Sequence, residues 1–528
     1  MALSPRILFW LTSAFLLGLV ALLALFWSPI LISYIILGPL FAIGIADQLQ
    51  RKHAIRRNFP VIGHGRYLLE AIRPEINQYF IESNTDGTPF NREQRSVVYQ
   101  RSKGVTDTTP FGTQLDVYQP GYEWIDHSLR CKTPSHVVPR VIFGAGRCSQ
   151  PYAASLLNIS AMSYGSLSRN AVVALNNGAK RGGFAHNTGE GGLSSHHLEG
   201  GGDLIWQLGT GYFGARTAEG KFDPDKFAER SRTAQVKMIE IKLSQGAKPG
   251  HGGILPASKL TREIAEIRGV PMGQDVISPP AHSAFDNPLT LLEFVEDLRE
   301  LSGGKPVGFK LCVGRKTEFL GICKAMLATG VVPDFITVDG AEGGTGAAPL
   351  EFSNRIGVPL TEGLVFVHNA LIGIGLRDQI RIIAAGKVST GFDMARLLAI
   401  GADTCNSARA MMFALGCIQA RRCNNNDCPT GVATQNPTLV AGLDIEDKAE
   451  RVFRFHKATV HAFLELLAAA GFDKPEELKP IHLHRRLDFH REKSYAELFD
   501  YIEPKILLGD MAPHAWAMMW KEASADRF

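Results

Sequence analysis

Residues 335–346, FITVDGAEGGTG, run from a β-branched apolar stretch straight into a loop of glycines and carboxylates. The same grammar recurs from Leu156 onward. Short apolar runs end in Gly, Ser or Asn and alternate with segments of helical spacing, the pattern of repeated βα units around a parallel sheet. The candidate strands are 156–161, 184–187, 238–242, 276–278, 307–313, 335–339, 382–385 and 403–408. Eight such runs over roughly 250 residues predict an α/β fold of the TIM (β/α)8 barrel class.

In such a barrel the residues just past the C-terminal end of each strand line the site. Here they are MSYGS (162–166), NTGEGG (187–192), KLSQGAKPGHGG (242–253), DGAEGGTG (339–346) and GKVSTG (386–391). Glycines let the backbone approach a flat or anionic ligand, and their N–H groups can cradle phosphate. One such loop is an ordinary turn, whereas five in phase point to a ligand. Barrels frequently hold phosphate with the loops after strands seven and eight, which here carry Gly386, Thr390, Gly391, Ala408 and Arg409. Arg409 suits a bidentate phosphate contact, the alternative being a structural ion pair. Met162, Ser163, Gly343 and Gly344 complete the candidate cofactor lining. Lys310 interrupts the apolar run VGFKLCV, where a cation suits the N1 and C2 carbonyl end of a reduced flavin; a snorkelling lysine is the plainer reading.

Lys242, Gln245 and Lys248 place two cations and an amide in one loop, suited to a dicarboxylate, and Arg268 adds a further carboxylate contact. Glu190, within TGEGG, is the acidic group expected to orient a ligand or relay a proton. Glu190, Lys242, Gln245 and Lys248 form the candidate catalytic set. His196, His197, His251 and His282 are left out of it, because a lone histidine is more often a satisfied structural residue.

The stretch 402–435, ADTCNSARAMMFALGCIQARRCNNNDCPTGVATQ, holds Cys417, Cys423 and Cys428 with five residues and then four between them. Thiolates suit iron-sulfur clusters and zinc, and short spacing lets one loop wrap the metal. Spacing alone does not identify that metal. Three ligands with no fourth Cys nearby downstream favour a 3Fe-4S cluster. Unrelated core thiols are the alternative, against which stand Arg421, Arg422, Asn424, Asn425, Asn426 and Asp427 on the same loop.

No charged residue lies between Arg6 and Asp47. The run from Ile7 to Trp27 is long enough to cross a bilayer, Ser28-Pro29 breaks it, and Ile30 to Ile45 is a second run of sixteen residues near the short limit. Two membrane helices joined by a tight turn are expected. A signal peptide is the rival, but the first run exceeds a usual h-region and no A-x-A-like site ends it. Arg51, Lys52, Arg56 and Arg57 follow, which places the large C-terminal part in the cytoplasm at the inner membrane. Eight cysteines, three of them on one polar loop, read as metal chemistry in a reducing compartment rather than a disulfide framework. A net charge of +4 on 528 residues, with no basic stripe interleaved with aromatics, excludes a nucleic-acid partner. The expected organisation is a hairpin at 1–48, a lead-in covering the barrel at 49–150, the barrel at 151–415, the cysteine loop at 416–440 and a helical region at 441–528.

Together MSYGSLS, NTGEGG, IEIKLSQGAKPGHGG, VISPPAH, DGAEGGTGAAP and GCIQARRCNNNDCPTGVATQ resemble the FMN-binding, iron-sulfur synthase domain of glutamate synthase. The resemblance covers roughly residues 105–440 and is closest to the stand-alone, archaeal-type members. It implies a TIM barrel carrying FMN and a 3Fe-4S cluster, with 2-oxoglutarate aminated through 2-iminoglutarate to L-glutamate. It also implies electrons relayed through the cluster from ferredoxin or a reductase subunit, with a homo-oligomer compatible. The chain begins Met1-Ala2-Leu3 where full-length relatives carry a glutaminase domain with an N-terminal Cys, and it has no room for their large C-terminal β-helix domain. Ammonia is therefore expected free or from another chain. The alternatives are a related FMN barrel acting as an amine or hydroxy-acid dehydrogenase, for example methylglutamate synthase-like, and a non-catalytic membrane-anchored electron-transfer subunit.

Overall fold

The computed structural model describes residues 4–528 and divides into two compact units, Met1–Thr88 and Pro89–Phe528. In the first, Ser4 caps the helix Pro5–Ala24 by accepting the Ile7 N–H at 3.4 Å. A 3-10 turn at Ser28–Ser33, opened by Pro29, reverses the chain into the helix Tyr34–Leu49. Phe9 stacks on Phe41 with ring centroids 6.0 Å apart, and the Tyr34 hydroxyl donates to the Leu17 carbonyl at 2.8 Å. Both arms are long and apolar enough to cross a membrane, by length and composition.

The second unit is built on a closed barrel of eight parallel strands. They are Leu157–Ile159, His186–Asn187, Leu204–Leu208, Val236–Lys242, Val307–Leu311, Phe335–Asp339, Arg381–Ala385 and Thr404–Ser407. The barrel is the one expected, but one of its staves is not. Val276–Ile277 pairs antiparallel with Ile254–Leu255 in a two-stranded excursion, and the third stave is LIWQL at 204–208, every residue of it buried. From the fifth stave onward the expected order holds.

Inside the barrel, Glu240 of the fourth stave gathers polar partners from its neighbours. Asn187 Nδ2 donates to it at 2.8 Å, Gln207 Nε2 at 2.6 Å and Thr337 Oγ1 at 2.6 Å. These contacts satisfy a fully buried carboxylate, without which its burial would be costly. The lower end is closed by an antiparallel pair, Arg140–Phe143 with Tyr152–Ser155. Phe143 packs edge-on to Phe335 at 5.7 Å and joins a small core with Ile205, Met238 and Ile383.

Outside, the helix Ile445–Ala469 buries Val452, Val460, Phe463, Leu464 and Leu467 at helical spacing, with Phe455 completing the stripe while Phe453 stays only half-buried. It packs on the helices Arg169–Gly182, Gly391–Ala399 and Arg92–Lys103. The segment expected as one lead-in is thus divided. Residues up to 88 belong to the first unit, while Phe90 and Tyr99 meet Phe413 edge-on at 5.3 and 6.0 Å within the second.

Asp334, fully buried at the foot of the sixth stave, accepts from Arg299 Nε and Nη2 at 3.2 and 3.1 Å, from Arg147 Nη1 at 3.0 Å and from the Val307 N–H at 2.9 Å. It therefore ties three segments to the stable end of the barrel. Asp334→Ala leaves Arg299 buried without its main counter-charge and is expected to cost about 3–5 kcal/mol, read as a fall in the denaturant midpoint.

Candidate active site at the barrel mouth

Lys242 ends the fourth stave, so its side chain leaves the barrel at the mouth. Its ammonium donates to Glu190 Oε1 at 2.6 Å and to Gln245 Oε1 at 2.6 Å. Glu190 comes from the loop after the second stave, where the close approach of Gly253 leaves it room: a Cβ there would stand 2.6 Å from Oε1. Burial pushes the Glu190 carboxyl up, but Lys242, Lys248 and Arg268 outweigh it and hold the group below its ordinary range. Lys248 is buried, and that burial, partly offset by Glu190, lowers its ammonium to about 8. Arg268 is the last residue of the helix Arg262–Arg268, not part of the lysine loop. It is nonetheless brought in, with its guanidinium 5.1 Å from the Phe213 ring centroid and Nη2 donating to the Tyr164 carbonyl at 3.3 Å. Burial lowers it to about 10, and its buried Nε has no partner among the described residues. The five residues singled out in sequence therefore converge. Three cations face one carboxylate, a surplus of two positive charges in a nearly dry pocket.

Two supports flank this cluster: His282, left out of the candidate catalytic set, and Lys310, expected beside a flavin. His282, from the excursion that carries VISPPAH, lies at 2.9 Å from the Lys242 carbonyl through Nε2 and at 3.0 Å from the Tyr212 hydroxyl through Nδ1. The carbonyl can only accept, so Nε2 carries the proton and Nδ1 accepts from Tyr212. The tyrosine oxygen in turn accepts the Ser283 and Ala284 N–H groups at 3.1 Å each. Burial pushes His282 down to about 4, which keeps the ring neutral in this role. The second support is Lys310, whose ammonium lies 3.2 Å from Asp339 Oδ2, the atom that also accepts the Gly246 N–H at 2.8 Å. Burial lowers the Lys310 pKa, but Asp339 and Glu240 prevail and the net shift is upward. Lys310 is thus paired within the barrel mouth rather than snorkelling to solvent.

The far side of the mouth bears on FMN, the cofactor implied by the resemblance. Thr390 caps the helix Gly391–Ala399 in a reciprocal box with Asp393, whose Oδ2 accepts the Ser389 and Thr390 N–H groups at 2.9 Å each. A Cβ on Gly391 would stand 2.6 Å from the Phe463 nitrogen, so this glycine serves helix packing. The next helix, Arg409–Leu415, starts at Ala408 with no side-chain cap, leaving its leading N–H groups to an anion. Arg409 packs against Gly344, where a Cβ would meet its guanidinium at 1.9 Å, and it donates to the Thr345 carbonyl at 3.4 Å. Met162 and Ser163 lie beside the glycines of the second loop, and Gly386 and Gly343 flank the seventh and sixth stave ends. An uncapped helix start, a cation and a glycine-lined floor fit a phosphate-bearing flavin.

The cysteine loop leaves the same short helix. The Tyr99 hydroxyl donates to the Cys417 carbonyl at 2.6 Å, and the Gln419 amide exchanges hydrogen bonds with the Phe90 backbone at 3.2 and 3.1 Å. Burial pushes the Cys417 thiol up to about 11 and Cys423 upward as well. For Cys428, burial is overcome by the Thr430 hydroxyl and the N–H groups of Ala433, Thr430 and Val432, and its pKa falls. The three sulfurs are within electrostatic reach of one another and of Arg409 and Lys259. Among the described residues no three His, Cys, Asp or Glu side chains close around a single metal ion. Three thiols hedged by two cations fit a polynuclear, anionic group.

Fold and site together define a closed parallel barrel with a buried cationic cluster at its mouth. The chain belongs to the glutamate synthase family: the conserved region in glutamate synthase matches residues 141–473. It is 39% identical to the glutamate synthase large subunit-like protein YerD of Bacillus subtilis, over 84% of this chain and 92% of that one. It is 37% identical to the archaeal glutamate synthase (NADPH) of Methanocaldococcus jannaschii and 34% identical to the archaeal-type enzyme of Thermotoga neapolitana, over 61% of this chain in each case. In both of those it spans 60% of the relative's length. Flavocytochrome b2 with sulfite bound matches with a TM-score of 0.44 at 12% identity, over 84% of this chain and 90% of that one.

Tyr212→Phe removes the one oxygen that satisfies His282, Ser283 and Ala284. It is expected to cost about 1–3 kcal/mol in thermal unfolding, the range for orphaned buried polar groups.

Proposed function

We propose that the chain is a glutamate synthase-like oxidoreductase that reductively aminates 2-oxoglutarate to L-glutamate at the barrel mouth, with FMN and a 3Fe-4S cluster. The observation that carries this reading is the charge of the pocket: Lys242, Lys248 and Arg268 against Glu190 leave room for a dianion. A dicarboxylate cancels that surplus, and the unpartnered Nε of Arg268 offers a donor that a substrate carboxylate would satisfy.

Lys242, Gln245, Lys248 and Arg268 hold the dicarboxylate and fix its reacting carbon against the flavin face. Glu190 holds the Lys242 ammonium in place at 2.6 Å, and the neutral His282 pins the backbone that carries it. Lys248, whose ammonium burial lowers to about 8, is suited to exchange a proton with the substrate as ammonia and 2-oxoglutarate condense, with loss of water, to 2-iminoglutarate. When bound, FMN supplies hydride to the imine carbon and the cluster carries single electrons to it. Ala408, Arg409, Gly343, Gly344, Gly386, Met162 and Ser163 would hold the flavin, with Lys310 near its ring and Thr390 and Gly391 shaping the adjoining helix. Cys417, Cys423 and Cys428 would hold the cluster, which ferredoxin or a reductase chain would feed. Residues 1–48 would anchor the enzyme in the inner membrane, with Arg51, Lys52, Arg56 and Arg57 retaining the barrel in the cytoplasm.

Anaerobic reduction of the purified protein tests the reaction directly. Flavin reoxidation on adding 2-oxoglutarate with ammonia, and glutamate in the products, is the expected outcome. No reoxidation with these, or with glutamine plus a partner chain, refutes the reading; reduction of the oxidised flavin on adding amines, reversed by an electron acceptor, would favour the dehydrogenase alternative. Cys423→Ala is expected to lose the cluster's visible absorbance and donor-driven turnover together.

The pH dependence has a defined sign. Burial depresses Lys248 to about 8, so it is charged below that pH and neutral above it. The KM for 2-oxoglutarate is expected to rise as pH passes upward through about 8, and Lys248→Arg, which stays charged, is expected to flatten that rise.

A further inference from the structure

We propose that residues 54–81 form a second membrane contact, an amphipathic segment lying in the plane of the bilayer surface and binding anionic lipid headgroups. The proposal rests on the reading that residues 5–49 span the membrane. The helix Gly63–Ile76 carries Leu68, Leu69, Ile72 and Ile76 at helical spacing, so they share one stripe. Leu68 is 63% exposed, and the following turn adds Tyr79 and Phe80, the latter 84% exposed. Leu69, Ile72 and Tyr79 of this unit are likewise exposed.

Its placement is fixed by the end of the hairpin. Asp47, on the last turn of the helix Tyr34–Leu49 and buried, accepts the Val61 N–H at 2.9 Å and meets His64 Nε2 at 2.7 Å. The first turn of the amphipathic helix is thereby clamped to the last turn of a membrane-spanning one. A helix that begins at the membrane boundary with an uncovered apolar stripe can bury it only by lying in the interface.

The charge says which lipid. Residues 51–81 hold Arg51, Lys52, Arg56, Arg57, Arg66 and Arg73 against Glu70 and Glu75. Arg73 falls beside the apolar stripe, where its stem can lie along it and its head reach phosphate, and Arg66, on the same side, forms an exposed ion pair with Glu70 at 2.8 Å that an anionic headgroup can compete for. The Arg56 guanidinium lies 4.4 Å from the Tyr67 ring centroid, holding the basic turn against the helix. A cluster of this size directly beyond a membrane helix suits anionic headgroups.

The test uses the full chain in vesicles of phosphatidylcholine containing a quarter phosphatidylglycerol, with the photoreactive residue benzoylphenylalanine placed at Leu69, at Glu70 or at Leu16. Lipid adducts several-fold more abundant from Leu69 than from Glu70, reduced in pure phosphatidylcholine and in the double variant Arg66→Gln, Arg73→Gln, are the expected result. Equal adducts from Leu69 and Glu70, indifference to phosphatidylglycerol, or adducts from Leu69 to a second copy of the chain would each overturn the proposal while Leu16 still labels lipid. Loss of the Leu16 adduct would instead remove the membrane hairpin on which it rests.

Discussion

The site depends on one buried ion pair, Lys242 with Glu190 at 2.6 Å. Each partner comes from a different βα loop, so the pair fixes the second loop against the fourth. In a poorly solvated pocket such a pair is worth more than at the surface, and breaking it leaves a charge without compensation. Glu190 answers three cations rather than one, and this asymmetry explains its low pKa despite burial. Two uncompensated charges in one buried cluster suit an anionic ligand.

The rest of the mouth prevents that pair from drifting. On one side Tyr212 and His282 hold the Lys242 carbonyl, and on the other Asp339 takes both Lys310 and the Gly246 N–H. The lysine loop is therefore pinned at its first residue and at Gly246. Below it, Glu240 links the second, third, fourth and sixth staves through side-chain hydrogen bonds, so the rigid barrel interior and the polar mouth form one continuous network. Such networks specify a geometry because every member is satisfied only in one arrangement.

This layering also decides what could be read from sequence. Gly-rich loops following apolar runs exposed the barrel, and Lys242, Gln245, Lys248 and Glu190 announced themselves as polar groups in or at the start of those loops, while Arg268 stood apart on a helix. The segment 276–278 imitated a stave because a strand's local pattern does not record its partner; only the pairing with Ile254–Leu255 removes it from the barrel. LIWQL at 204–208 was hidden by Gln207, whose amide looks misplaced until Glu240 stands opposite it. His282 looked like any isolated histidine, since its value lies in two partners, one 40 and the other 70 residues away. Thr390 and Gly391 stand where a helix cap and an anion site use the same residue types, and Asp393 accepts the Thr390 N–H at 2.9 Å.

Arg409 shows how the two halves of the chemistry are joined. It opens the helix that follows the eighth stave, lies against Gly344 of the sixth loop, and directs its charge toward Cys417 and Cys423. From that helix the chain passes directly into a loop where Gln419, Arg421 and Asn426 all take left-handed conformations. For residues with a Cβ each costs about 1–3 kcal/mol and persists only where the surroundings over-determine it. Here they do: Gln419 is held by the Phe90 backbone, and Asn426 accepts the Gln435 N–H at 2.7 Å while its carbonyl accepts the Thr434 hydroxyl at 2.7 Å. The thiol loop is thus held in a costly shape by hydrogen bonds within itself and to the Phe90 backbone, and it shares one arginine with the barrel mouth.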